Sequence, residues 1–152
     1  MDYCDLLTEL TQQHGISICK AEEMHPDEVY IRVESRDLRA AAAFMNKRLR
    51  APVSMLFAQD RRLRNEGFAV YCVFLSSQMK KWLFLCAFIS AGDPRFDSLS
   101  NVVYSAALFE REIREMFGIE VTGSTDIRRI RLHEEVWPQG RFPLRKDFKA
   151  EG

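Results

Sequence analysis

Apolar positions along the chain change period several times, and each change marks a predicted element. Leu6, Leu7 and Leu10 fall at helical spacing within residues 4–13, and Gly15 is a stop signal. Ile16–Cys19 and Val29–Val33 alternate apolar with polar and predict two short strands joined by a turn at Pro26. Ser35 stands where an N-cap belongs, ahead of DLRAAAAFMNKRL, whose alanines and long apolar side chains favour helix until Pro52. Val53–Ala58 predicts a strand. Gly67–Leu75 and Lys81–Ile89 are the strongest strand patterns, joined by the hairpin loop SSQMK. Gly92-Asp93-Pro94 is a turn, and a further helix is predicted somewhere in 98–117.

Helices alternating with about five strands, two of them consecutive and closely linked, predict an α+β domain. Its sheet is expected to be mostly antiparallel, with helices packed on one face. Beyond residue 132 the periodicity fails. The expected organisation is therefore a single α+β domain over 1–132 and an irregular, extended C-terminal docking tail over 133–152. There are no repeats, and the 152 residues suit one domain able to bury a core without disulfides.

The stretch ALFEREIREMFGIEVTGSTDIRRIRL, residues 107–132, sets charges closely among its apolar residues. On a helical wheel Ala106, Phe109, Ile113, Met116 and Phe117 share one face, while Leu108, Arg111 and Glu115 lie opposite. Glu110 and Arg114 flank the apolar face on one side and Glu112 on the other. The pairs Glu110–Arg114 and Arg111–Glu115 have the spacing of intrahelical ion pairs. Gly118 sits where a C-cap glycine belongs. The following DIRRI is a poor core strand, since neither parity is purely apolar. Its Arg128 and Arg129 are expected to pair with Glu110 or Glu112 and lock the two segments together. Phe109, Ile113, Met116 and Phe117 are expected to pack on the 67–89 hairpin as core.

Charge and chemistry narrow the function classes. Lys+Arg and Asp+Glu number 22 each, so the net charge is zero. That disfavours bulk attraction to nucleic acid or to anionic membrane, although Arg61, Arg62 and Arg64 together with Arg128, Arg129 and Arg131 form basic runs. Cys4, Cys19, Cys72 and Cys86 contain no CxxC pair, so no zinc or iron–sulfur site is expected, and Cys72 and Cys86 read as small buried hydrophobes. His14, His25 and His133 are isolated, and HEEVW lacks the second histidine of a zinc-protease helix. Glu110 and Glu115 stand about 140° apart on a helix, too divergent for shared acid–base work. The apolar run WLFLCAFI is too short to span a bilayer, and MDYCDLLTELTQQHG lacks the pattern of a signal peptide. No catalytic residue, cofactor or metal ligand is predicted. A small independent enzyme or a stand-alone nucleic-acid-binding module are the alternative readings.

The motifs FEREIREMFGI, DIRRI and FPLRKDF, in this order, resemble the signature of the C subunit (30-kDa subunit) family of respiratory NADH–quinone oxidoreductase, complex I. The same family includes a small subunit of membrane-bound energy-converting hydrogenases. The likeness falls on Glu110, Arg111 and Glu112, on the acidic place at Glu115, and on the stop at Phe117, Gly118 and Ile119. It continues through Asp126, Arg128 and Arg129 to Pro143, Leu144, Arg145, Lys146, Asp147 and Phe148. Ser124-Thr125 replaces the family's His-Pro pair, a departure that leans toward a hydrogenase-type relative. The resemblance implies a non-catalytic structural subunit without a cofactor. It would dock on the hydrogenase-like large subunit of a membrane-associated oxidoreductase, lying in the cytoplasm at the inner face of the membrane without entering it. It also implies that the arginine-rich tail is docking surface. Trp137, Phe142, Leu144 and Phe148, separated by Gly, Pro and charge, have the composition of an interface hot spot. The tail is expected to be poorly tied to the domain until a partner orders it.

Overall fold

The computed structural model describes residues 2–150. Helix α1 (Tyr3–His14) starts at an Asp2 cap with Asp5 closing the capping box, and it buries Leu6 and Leu10. Strands β1 (Ile18–His25) and β2 (Glu28–Val33) follow, then α2 (Leu38–Leu49), β3 (Met55–Asp60), β4 (Phe68–Ser76) and β5 (Lys81–Ile89). The last elements are β6 (Arg95–Asp97), α3 (Ala107–Phe117) and β7 (Glu120–Thr122). Ser35 does not cap α2; it opens a one-turn 3-10 helix, Ser35–Asp37, and α2 has no side-chain N-cap bond. The helix ends at Arg50, in left-handed conformation, before Pro52 is reached.

Five strands form one sheet in the order β1-β2-β5-β4-β3. Three of its pairings are antiparallel, and β2 with β5 is parallel. The sheet is thus mixed, with an α+β layering as its alternation predicts. Alternate residues point to one core: Val29, Ile31 and Val33 from β2, Leu83, Leu85 and Ala87 from β5, and Phe68, Val70, Cys72 and Phe74 from β4. Leu38, Ala41, Ala42 and Met45 of α2 and Ile113, Met116 and Phe117 of α3 close the same core. Phe117 meets Phe68 edge to face at 6.4 Å. Phe109 is only half-buried at the edge of this cluster, so the core face of α3 is narrower than its wheel suggests.

A second sheet escaped the sequence pattern. Its two strands, β6 and β7, have three residues each and pair in parallel, with Arg95 opposite Glu120 and Asp97 opposite Thr122. The Ser98 N–H donates to the Thr122 carbonyl and the Glu120 N–H to that of Pro94, both at 2.8 Å. Because α3 lies in the connection between these strands, the pairing brings the chain before the helix and the chain after it side by side.

Candidate docking surface

The charges of α3 do not pair along the helix. Glu110, only 1% exposed, points beneath the 98–100 turn. There its carboxylate accepts from the Ser98 hydroxyl at 2.8 Å, from the Leu99 N–H, and from the Ser100 N–H at 3.2 Å. Burial pushes its pKa above the ordinary glutamate value, against the pull of these donors. Glu110 therefore does not meet Arg128 or Arg129 as expected; it ties α3 to the connection that precedes it.

Glu115 reverses its expected place. It lies opposite the apolar stripe, yet it is 8% exposed because the chain returning from β7 passes over it. Its carboxylate accepts three successive backbone N–H groups, from Ile130 at 3.0 Å, from Arg131 at 3.0 and 3.2 Å, and from Leu132. Burial raises its pKa, but these donors and the charge of Arg129 outweigh burial and hold it below the ordinary value.

The arginine partners are also redistributed. Arg111 donates from Nε to the Arg128 carbonyl and from Nη2 to the Arg129 carbonyl, both at 2.9 Å. Arg128 forks onto Asp126 with contacts of 2.9 and 2.7 Å. This pairing holds the Asp126 carboxyl well below the usual carboxylate range, with Arg111 adding its charge at 3.5 Å. Glu112 pairs with Arg131 at 3.1 Å, and Arg129 reaches the Trp137 carbonyl at 3.3 Å. DIRRI is thus held to α3, but chiefly through backbone groups. Its alternation of arginine and isoleucine says little because its main chain carries the contacts.

Beyond residue 132 the tail is tied more firmly than its composition suggests. Gly118 ends α3 at φ 66°, its N–H donating to the Arg114 carbonyl at 3.0 Å. A Cβ there would lie 2.4 Å from the Phe142 ring, so this glycine both turns the chain and leaves room for the tail to cross. Leu144 N–H donates to the Met116 carbonyl at 3.1 Å and Arg145 Nε to that of Phe117 at 2.6 Å. The Arg145 guanidinium lies over the rings of Phe142 and Phe68, at 4.5 and 5.3 Å. Burial lowers its pKa, as does the charge of nearby Arg62. Trp137 stacks near Phe148 at 5.8 Å and donates from Nε1 to the Arg141 carbonyl at 2.8 Å.

The final clamp joins Lys146 and Asp147 of the closing motif to two residues outside the signature, Asp60 and Arg62. Asp60, at the end of β3, accepts from the Lys146 N–H at 2.8 Å and from two nitrogens of Arg62 at 2.9 and 2.6 Å. Arg62 also pairs with Asp147 at 2.8 Å. Asp60 is consequently held far below the ordinary carboxylate pKa, chiefly by Arg62. In the sequence the run 61–64 reads as a basic patch. In the fold Arg61 is neutralised by Glu66 and Arg62 by Asp60 and Asp147. The only sequence signal for this clamp is the aspartate immediately before two arginines.

The surface left outward is apolar and charged by turns. Ile127, Ile130, Val136 and Leu144 are exposed, while Pro143, Arg145 and Phe148 are half-buried and Lys146 and Asp147 are exposed. Among the described residues, no helix is long and apolar enough to cross a membrane.

The chain is thus an α+β domain whose α3 is held by a buried carboxylate to the returning tail. Residues 31–152 match the family described as the 30 Kd subunit of respiratory-chain NADH dehydrogenase, and the chain belongs to that family. It is 31% identical over 143 residues to hydrogenase-4 component G of Escherichia coli, covering 93% of this chain and 26% of that protein. It is 32% identical over 122 residues to formate hydrogenlyase subunit 5 of the same organism, covering 80% and 21%. It is likewise 32% identical over 128 residues to the C/D subunit of NADH-quinone oxidoreductase from Erwinia tasmaniensis, covering 78% and 21%. The chain spans about a quarter or less of the length of these relatives. Its fold is shared with a chain of the membrane-bound sulfane sulfur reductase, an archaeal respiratory membrane complex. That match has a TM-score of 0.76 and 16% identity, over 97% of this chain and 85% of that one. A trypsin-resistant fragment of Nqo5 matches with a TM-score of 0.65 and 19% identity, over 82% of this chain and 99% of the fragment.

Proposed function

We propose that this chain is a non-catalytic structural subunit of a membrane-associated oxidoreductase of the energy-converting hydrogenase or complex I type. In this reading it docks on the hydrogenase-like large subunit of that assembly through the surface built by residues 126–148. The carrying observation is that Ile127, Ile130, Val136 and Leu144 stay exposed on a segment whose backbone is pinned to α3 and to Asp60. A segment fixed before binding loses little ordering entropy on association, while its apolar side chains remain available to a partner. The family assignment and the names of the hydrogenase and quinone-reductase relatives support the reading. The complex would hold the chain at the cytoplasmic face of the membrane, and no redox centre is assigned to it.

Isolation of the affinity-tagged chain from its native cells tests this directly. A large subunit of the hydrogenase or quinone-reductase type is expected to copurify in stoichiometric amount and to be identifiable by mass spectrometry. Recovery of the chain alone from a gentle preparation, or turnover by the isolated chain, would overturn the reading.

A further inference from the structure

Beside the clamp on Glu115 the tail encloses a cavity of about 230 Å³ between α3 and residues 127–142. Arg111, Arg114, Arg129 and Arg141 line it, with Trp137 and Phe142 completing the wall. The cations here are unequally satisfied. Arg128 is matched by Asp126, and Arg111 is spent on two carbonyls. The Arg129 guanidinium has, among the described residues, one hydrogen bond, a long one to the Trp137 carbonyl, and its charge also acts on Glu115. Among the described residues, the Arg114 guanidinium has neither a hydrogen bond nor an ion pair, although it is half-buried on the cavity wall. Two carboxylates line the same space. That of Glu115 is already filled by the N–H groups of 130–132, and Glu134 is exposed at the rim.

We infer that this cavity receives an acidic side chain of the docking partner, with Arg114 and Arg129 forking onto its carboxylate. The inference rests on the docking reading above and adds a specific contact to it. A guanidinium held in a concave, partly dehydrated site with no carboxylate bonded to it is costly and becomes more favourable when a planar anion completes it. A polypeptide is favoured over a small free anion by what surrounds the opening. Ile127 and Ile130 are exposed beside the cavity, and Val136 and Leu144 are exposed on the same tail, so the arginines sit among apolar contact area rather than in a purely polar cleft. Apolar contact around a desolvated arginine is the anatomy of a protein hot spot.

Arg114 is the informative position because its side chain makes no bond that the fold needs. In the tagged complex, Arg114→Glu is expected to lower retention of the large subunit at least about tenfold at ~0.15 M ionic strength. Arg39→Glu, on the exposed face of α2, is expected to leave retention unchanged, as a control for net charge. Thermal melts of both isolated variants should match the parent, which separates a binding defect from misfolding. Arg114→Lys supplies a second reading. Carbodiimide treatment of that complex should form an amide between the amine at position 114 and an aspartate or glutamate of the large subunit. Full retention of the large subunit by Arg114→Glu, or an intact Arg114→Lys complex with no such crosslink, would overturn the assignment while leaving the docking reading in place. Failure of the unmutated chain to bring down a large subunit defeats the docking reading and this contact with it. Calorimetric binding of inorganic phosphate to the isolated chain, abolished by Arg114→Glu, would make the cavity a small-anion site instead.

Discussion

Glu115 is the residue on which the tail turns. One carboxylate accepts three consecutive main-chain donors, so its removal strands them together. Glu115→Ala is predicted to cost ~1–3 kcal/mol in a urea melt and to make the tail the first site of tryptic cleavage. Gly118 is the other single-atom constraint. Its φ of 66° and the Phe142 ring, 2.4 Å from where a Cβ would sit, give two independent reasons against any side chain. Gly118→Ala is predicted to cost at least ~1 kcal/mol and to shift the ring resonances of Phe142 in NMR spectra.

At the scale of elements, the helix and its tail respond to pH in a direction set by their carboxylates. Asp60, Asp126 and Glu115 all have folded-state pKa values below their ordinary ones. Their stabilising contribution is therefore present above the unfolded values, near ~4, and is lost as the pH falls through the depressed ones. Glu110 runs the other way: its raised pKa favours the folded state most at low pH, and that advantage is lost as the pH rises through the shifted value. The returning chain is held by the three depressed groups, so it should loosen before the sheet on acidification. Hydrogen exchange is expected to find the Leu144 and Lys146 amides protected at neutral pH. Both should lose protection only as the pH falls well below the ordinary carboxylate range, through the depressed values, while β4 and β5 amides keep theirs.

These elements also mark how much is legible in the sequence. Helices α1 and α2 and the β4–β5 hairpin carry their own periodicity and can be read directly. Strands β6 and β7, at three residues each, are too short to show a period. The wheel locates the apolar side of α3 but misplaces Glu115, because a carboxylate can be buried by backbone donors arriving from elsewhere. It also makes the arginines partners of helix glutamates, since nothing in DIRRI reveals that Arg111 will take its carbonyls. Asp60 and Arg62 escape notice for the same reason: Asp60 accepts a main-chain N–H from Lys146, eighty-six positions away, and Arg62 donates to the distant carboxylate of Asp147.

Across the whole molecule, burial sorts the four cysteines into two classes. Cys4 and Cys19 are exposed, whereas Cys72 and Cys86 lie within the central sheet. Burial pushes the Cys86 thiol up to about 11 and that of Cys72 well beyond the usual thiol range. Alkylation with iodoacetamide at mildly alkaline pH is expected to label positions 4 and 19 in the native chain and all four positions in denaturant. Rapid native labelling at position 72, mapped by mass spectrometry, would mean that the sheet opens far more readily than its packing implies.

The parallel contact between β2 and β5 has a consequence for the order in which the chain acquires its shape. Strands β3, β4 and β5 follow one another and pair as neighbours, so their loop closures are short. The β1–β2 hairpin can also form locally, but its other edge must wait for β5, which is synthesised about fifty residues later. A nascent chain therefore carries Val29, Ile31 and Val33 without their sheet for the time needed to translate that interval. We predict that refolding from denaturant is a two-stage process, with amides of β4 and β5 protected first and the β2–β5 seam closing in a slower step. Pulse-labelling hydrogen exchange with β2 protected as early as β4 would contradict that sequence of events.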